Sequence, residues 1–236
     1  MGFPRSSLYV IVVSTVLSGL YFFRPSPLIK IFPIITLVMF LNSNTDCKVP
    51  NTVLKQGVRF ALIASAVGDV LLEIEDNNIG KGINPEGDSL YFLGGLVSFL
   101  VAHILYIRAF FSDTTKISIF VKLLLVAFYG AMMYTLLPNA KSELLIPLVI
   151  YGAVITFMGA IMIARYNRPE IHPQSKLLAL LGALSFVLSD SILAVNKFVY
   201  PVPNGKNCVM TTYYVAQVLL AVSTNYDLEV TSKKNR

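Results

Sequence analysis

Two aspartates stand inside long apolar stretches of this sequence, where a charged group is costly. Asp69 lies in ASAVGDVLLEI and Asp190 lies in LSFVLSDSILAVNKF, each directly after a small residue. Two neighbouring carboxyl groups in a medium of low dielectric do not both ionise easily, so one keeps its proton while the other stays charged. Such a pair provides a general acid and a general base. The alternative is structural, with each acid joining two helices through a hydroxyl group or through Lys30.

Further polar side chains occur in the same apolar surroundings and are candidate substrate-binding residues. They are Lys30, His103, Tyr106, Tyr213, Tyr214 and Gln217. Lys30 either attracts a phosphate or extends to the membrane interface. His103 is expected to form hydrogen bonds, because the only other histidine, His172, lies in a separate polar loop. We therefore predict no metal site and no cofactor.

The composition indicates the environment in which these residues act. Hydrophobic residues make up 55% of the chain and charged residues only 14%, with a mean hydropathy of +0.68. These values are typical of an integral membrane protein. Segments of about 20 apolar residues span a bilayer as helices. The predicted fold is a single all-α, polytopic membrane domain over residues 1–236, a bundle of about eight transmembrane helices at about 7–23, 27–41, 53–74, 89–111, 117–137, 142–164, 175–198 and 208–226.

The distribution of charge predicts the orientation of the chain. With eight spans both termini lie on one side, and the loops on that side carry more Lys and Arg than the loops opposite. The positive-inside rule then makes both termini cytosolic. The final Lys-Lys-Asn-Arg resembles a dilysine retrieval signal, which predicts the endoplasmic reticulum. The alternative is that these residues form a solvated basic end of the chain. The net charge of +6 suits an anionic membrane surface and gives no reason to expect nucleic acid as a partner.

Two pairs of segments share short motifs. The third and seventh share a small residue followed by Asp, at Asp69 and Asp190, and the fourth and eighth share Val-Ala-polar, ending at His103 and Gln217. This pattern is consistent with a 4+4 parallel repeat, in which a site forms between the halves. Asp69 and Asp190 lie roughly 8 and 12 Å from the non-cytosolic ends of their helices. The sequence therefore predicts a polar pocket in the non-cytosolic half, whereas the acidic stretch 73–88 is expected to be solvated.

Five short motifs follow one another along nearly the whole chain. They are Lys30-Ile-Phe-Pro33, Gly68-Asp69-x-x-Leu72, Phe99-x-x-x-His103-x-x-Tyr106, Ser189-Asp190-x-x-Leu193-Ala194 and Tyr213-Tyr214-x-Ala-Gln217. Together they resemble the YhhN family of membrane proteins, which includes lysoplasmalogenases. The resemblance implies a lysophospholipid substrate in contact with membrane lipids. It also implies hydrolysis of the vinyl ether bond of lysoplasmalogens to a fatty aldehyde and glycerophosphoethanolamine or glycerophosphocholine.

That reaction suits two carboxyl groups. A vinyl ether has no carbonyl carbon to attack, and it opens when a proton is delivered to the alkene carbon that does not carry the oxygen, which forms an oxocarbenium ion. One of Asp69 and Asp190 would deliver the proton, and the other would stabilise the cation and deprotonate the attacking water. The residues do not distinguish the two roles. The same acids are also consistent with a proton-coupled transporter or with a lipid-sensing membrane protein that has no catalytic activity.

Overall fold

A computed structural model of the chain describes residues 5–43, 53–76, 88–111 and 117–234. Within these ranges the chain forms eight α-helices and one 3-10 turn, and it contains no strand. The helices are α1 (Arg5–Phe23), α2 (Pro27–Ser43), α3 (Val53–Asp76), α4 (Asp88–Phe110), α5 (Ile119–Leu136), α6 (Ser142–Tyr166), α7 (Pro173–Phe198) and α8 (Gly205–Lys234). The prediction of an all-α bundle is confirmed, and each helix overlaps one predicted segment. Most of the acidic loop and the last two residues of the dilysine sequence lie outside the described ranges.

The helices are built for a lipid environment. Of those described, α1, α4, α5, α6 and α7 are long and apolar enough to cross a membrane, while α2 is apolar but shorter. Many large apolar side chains point away from the protein, such as Val16, Leu28 and Val126, which are more than half exposed. Water would penalise such a surface, whereas lipid tails do not. The chain is an integral membrane protein.

The helices pack most extensively in two pairs, α3 with α4 and α7 with α8. Glycines allow the close approach in both pairs. A Cβ atom at Gly57 would lie 2.7 Å from the Cβ of Ala109, and one at Gly182 would lie 3.1 Å from the backbone nitrogen of Leu220. Small residues at such contacts let helix backbones approach closely, which is the usual basis of helix association in membranes.

The helices within each pair contact each other at positions that are equivalent in the two pairs. Matching Asp69 with Asp190 and His103 with Gln217 makes Gly68 equivalent to Ser189 and Gly95 equivalent to Val209. A Cβ atom at Gly68 would lie 3.3 Å from the carbonyl oxygen of Gly95. The hydroxyl of Ser189 donates to the carbonyl oxygen of Val209 at 3.0 Å. The same two positions are therefore in contact in each half, as a parallel repeat predicts.

The two ends of the bundle differ in chemistry. The side-chain amide of Asn225 donates to the hydroxyl of Ser7 at 3.0 Å, so the first turns of α1 and the late turns of α8 lie at one end. The opposite end gathers the first turns of α2 and α8 with the last turns of α3 and α7. Lys30, Glu73 and Lys206 meet there. The assignment of the terminal end to the cytosol stays a prediction.

Candidate active site

Both aspartates line one cavity at the end of the bundle opposite the termini. The cavity has a volume of about 740 Å³, counted to its open mouth. Asp69 comes from α3 and Asp190 from α7, and Phe99 and Tyr213 also line the cavity. The side chain of Asp69 is almost fully buried, at 2% exposure, while that of Asp190 is 14% exposed. The cavity is open at its mouth, so a ligand can approach both aspartates from that end of the bundle.

Asp69 is held by a hydrogen bond and an ion pair. The hydroxyl of Tyr213 donates to Oδ2 of Asp69 at 2.6 Å, and the Nζ of Lys30 lies 3.8 Å from Oδ1. Tyr213 donates a hydrogen bond and Lys30 carries a positive charge, and each of these contacts favours the carboxylate form of Asp69. Asp69 thus joins helices through a hydroxyl group and through Lys30, as the structural alternative predicts. It also lines the cavity.

Glu73 is the main site residue that the sequence reasoning missed. The acidic stretch that begins at Glu73 was expected to be solvated, and for Glu73 that expectation is wrong, because its side chain is fully buried. It accepts from the hydroxyl of Tyr21 at 2.7 Å, and it lies 3.3 Å from the Nζ of Lys30 and 3.1 Å from the Nζ of Lys206. Glu73 follows Asp69 by four residues, so both face the same side of α3. This four-residue spacing is the sequence feature that indicates a buried Glu73 beside Asp69.

Asp190 has a different set of partners. The hydroxyl of Tyr151, from α6, donates to Oδ2 of Asp190 at 2.5 Å, and Nε2 of His103 lies 3.2 Å from the same oxygen. His103 and Tyr151 are 2.9 Å apart at these atoms. Among the described residues, no group of three His, Cys, Asp or Glu side chains could hold a metal ion. Tyr151 was not predicted, because a tyrosine within an apolar helix has no distinguishing sequence signal.

The remaining predicted binding residues lie behind the cavity wall. Tyr106 donates to the side-chain oxygen of Gln217, and both side chains are fully buried. The hydroxyl of Tyr214 donates to the carbonyl oxygen of Lys30 at 2.9 Å and so positions the backbone from which Lys30 reaches the carboxylates. These three residues are not among those that line the cavity. Their direct contact with a substrate stays a prediction.

A second cavity, of about 720 Å³ counted to its open mouth, adjoins the first. Its walls come mainly from α4, α5, α6 and α7, and they are almost entirely apolar. The two cavities share a boundary made of Leu72, Phe92, Phe99, Asp190 and Leu193. Asp190 therefore stands where an apolar cavity meets a polar one. Asp69 lines only the polar cavity.

The chain is similar over most of its length to proteins of one known family. Residues 26–224 match the YhhN family. The chain belongs to the YhhN family. It is 32% identical over 199 residues to lysoplasmalogenase TMEM86A of Bos taurus, and 32% identical over 202 residues to lysoplasmalogenase TMEM86A of Homo sapiens; each alignment covers 84% of this chain and 77% of the relative. It is 33% identical over 200 residues to lysoplasmalogenase TMEM86B of Sus scrofa, covering 84% and 74%.

No solved structure matches the chain significantly. Within this YhhN-family protein, the motifs on which the resemblance rests converge on the cavities. Lys30, Asp69, Asp190 and Tyr213 line the polar cavity, and His103 contacts Asp190 from behind. Residues from five separate motifs thus meet at one place in the fold.

Proposed function

We propose that this chain is a membrane-embedded hydrolase that cleaves the vinyl ether bond of lysoplasmalogens. The products would be a fatty aldehyde and glycerophosphoethanolamine or glycerophosphocholine. The observation that carries the proposal is that Asp69 and Asp190, from different helices, line a single cavity. The names of the relatives support the choice of substrate.

The two carboxyl groups match the requirements of the reaction. One delivers a proton to the alkene, and the other stabilises the resulting cation and takes a proton from the attacking water. General acid or base catalysis contributes about 10²- to 10⁴-fold to a rate, and electrostatic stabilisation of the cation adds a comparable or larger share. No bound cofactor is required for these steps.

The polar cavity also suits the head group of a lysolipid. Lys30 is occupied by Asp69 and Glu73, so its charge serves mainly to balance the carboxylates. Lys206 is also ion-paired, with Glu73 at 3.1 Å and Asp76 at 3.3 Å, but its side chain is 41% exposed. It is therefore the more accessible of the two cations to a phosphate. We propose that the phosphate of the substrate lies near Lys206, with the glycerol backbone extending inward toward the aspartates.

The proposal includes the cellular setting. We place the protein in the membrane of the endoplasmic reticulum with both termini cytosolic, so that the polar cavity faces the lumen. Protease accessibility of N- and C-terminal tags in sealed microsomes tests this orientation. Both tags should be removed without detergent, and protection of both would contradict it.

The first test follows aldehyde release by the detergent-purified protein. The substrates are lysoplasmenylethanolamine and lysoplasmenylcholine, with an ester-linked lysophospholipid as control. Wild type should release aldehyde from the vinyl ethers only, and Asp69→Asn and Asp190→Asn should each lose at least about 10²-fold in activity. Glu143→Gln, an exposed acid in the first turn of α6, is the matched control and should retain activity.

Two other functions use the same acids and are outcomes of this test. A proton-coupled transporter is favoured by the repeat, since the α3–α4 and α7–α8 pairs meet at equivalent positions. A lipid sensor would bind lysolipid and tolerate Asp→Asn at one of the two sites. Absence of aldehyde from folded wild-type protein would reject the hydrolase for these substrates and favour these alternatives.

A further inference from the structure

The apolar cavity extends well away from the two aspartates. It extends from Asp190 between α4, α6 and α7 as far as α5, where Met133 and Leu136 line it. Tyr151, Asp190 and Ser191 face it at the end near the aspartate, and the hydroxyl of Tyr151 donates to Asp190. An apolar cavity that ends at a reactive carboxyl group is suited to a ligand with a long hydrocarbon part and a reactive group at one end.

We propose that this apolar cavity holds the hydrocarbon chain of the lysolipid, with the chain-side alkene carbon against Asp190 and the ether carbon facing Asp69. The inference rests on the proposed function and deepens it. Its basis is the order of the groups along the substrate, which runs from chain to alkene to ether oxygen to phosphate. The cavities offer a matching arrangement, because Asp190 lines both the apolar and the polar cavity, whereas Asp69 and Lys206 line only the polar one.

This orientation separates the roles of the two aspartates. The alkene carbon that must receive the proton is the one bonded to the chain, and it lies on the side of Asp190. The carbon that water attacks is bonded to the ether oxygen, and it lies on the side of Asp69. The position of each aspartate therefore assigns the roles. Asp190 is the proton donor, while Asp69, which contacts Lys30 and Tyr213, stabilises the cation and activates water.

The steps balance and regenerate both groups. The O–H bond of Asp190 breaks as the alkene electron pair forms a new C–H bond, which leaves an oxocarbenium ion and the Asp190 carboxylate. Water adds to the cationic carbon while Asp69 takes its proton, giving a hemiacetal. Asp190 then removes the hemiacetal hydroxyl proton as the C–O bond to glycerol breaks, and Asp69 returns its proton to the leaving oxygen. The aldehyde forms and no external acid or base is consumed.

Helix α5 provides a route for the chain from the bilayer. It packs mainly on α6 near its end, and much of its length faces outward, with Leu123 and Val126 more than half exposed. Tyr129 and Met133 face the cavity from the same helix. A chain that leaves the lipid between α5 and its neighbours therefore stays in apolar surroundings until it reaches Asp190.

Chain-length selectivity tests the binding site. Gly152 lines the apolar cavity, and a Cβ atom there would lie 2.7 Å from Cε of Met133, the flexible end of a side chain that can move. We compare kcat/KM for a substrate with a chain of about eight carbons with kcat/KM for one of about eighteen. Gly152→Leu should raise the ratio of the first to the second by roughly fourfold for each methylene group displaced from the cavity. Ala194→Leu narrows the same cavity from α7 if the first variant fails to fold.

The matched control is Gly130→Leu on α5, since no atom lies within 4 Å of a Cβ built at Gly130. It should leave the selectivity ratio unchanged. Equal losses for short and long chains in both cavity variants, with wild-type activity intact, would overturn the chain-binding site without affecting the proposed function.

Photocrosslinking tests the same site without catalysis. A saturated ether lysolipid, which the proposed reaction cannot cleave, carries a diazirine at the end of its chain. Labelled peptides should come from the parts of α5 and α6 around Met133 and Ile155, and excess unlabelled lysolipid should reduce the labelling. Competed labelling confined to α1 and α2 would overturn the inference, whether or not the wild type releases aldehyde.

Chemical rescue tests the separate roles. At neutral pH, added formate provides a carboxylate but almost no free acid. Formate should restore part of the aldehyde release of Asp69→Ala, because that variant lacks a carboxylate, and it should not restore Asp190→Ala, which lacks a proton donor. Rescue of Asp190→Ala, or of neither variant, would overturn the assignment.

Discussion

The buried ion pair between Lys30 and Glu73 provides a sharp test of the site's electrostatics. The two side chains are 5% and 0% exposed, and their charged atoms lie 3.3 Å apart. Lys30 also lies 3.8 Å from Asp69, while Glu73 has a second cation in Lys206. The perturbation is a double-mutant cycle of Lys30→Met, Glu73→Gln and the two together.

The contacts predict the order of stability of the three variants. Lys30→Met leaves two buried carboxylates with only the partly exposed Lys206, and breaking a buried pair in this way costs about 3–5 kcal/mol. Glu73→Gln should cost less, because Lys30 keeps Asp69 as a partner. The double variant removes one charge of each sign, so it should be more stable than Lys30→Met alone. The expected coupling is about 0.5–3 kcal/mol.

The assay is thermal unfolding of the purified protein in detergent. One kcal/mol corresponds to about 2–4 °C in Tm for a chain of this size, so Lys30→Met should lower Tm by roughly 6–20 °C. Lys122→Met on the exposed side of α5 and Glu143→Gln on α6 are the matched controls and should change Tm little. A double variant that is no more stable than Lys30→Met would refute the charge-pair reasoning.

Three further predictions concern the reaction and the packing. Tyr151→Phe removes the hydrogen bond to Asp190 and should lower kcat about tenfold with KM unchanged in steady-state aldehyde assays; a change in KM alone would contradict this role. Lys206→Met should instead raise KM about tenfold with little change in kcat, and an unchanged KM would exclude its contact with the phosphate. Gly182→Leu should lower the free energy of unfolding in detergent by about 1–3 kcal/mol, whereas Gly130→Leu should not change it. Equal stability of the two variants would mean that the close α7–α8 contact is unimportant.

Several features of the site were predictable from the sequence because they are local. A carboxyl group in an apolar run is costly, so Asp69 and Asp190 stand out without any structure. Glu73 was open to the same reasoning, since it follows Asp69 by one helical turn, but its position near the end of the segment suggested a solvated residue. Tyr151 gave no signal, because aromatic residues are ordinary in membrane helices.

The sequence alone determined that the chain is a helical membrane protein with acids buried in it. Hydrophobicity and segment length act residue by residue, so the class, the eight segments and the two aspartates follow without tertiary contacts. The tertiary structure decided which side chains meet those acids. Asp190 contacts Tyr151 and His103 across 39 and 87 residues of chain, and Asp69 contacts Tyr213 across 144. Such contacts depend on how the helices are rotated and paired, and it is this packing that places Asp190, and not Asp69, at the junction of the apolar and polar cavities.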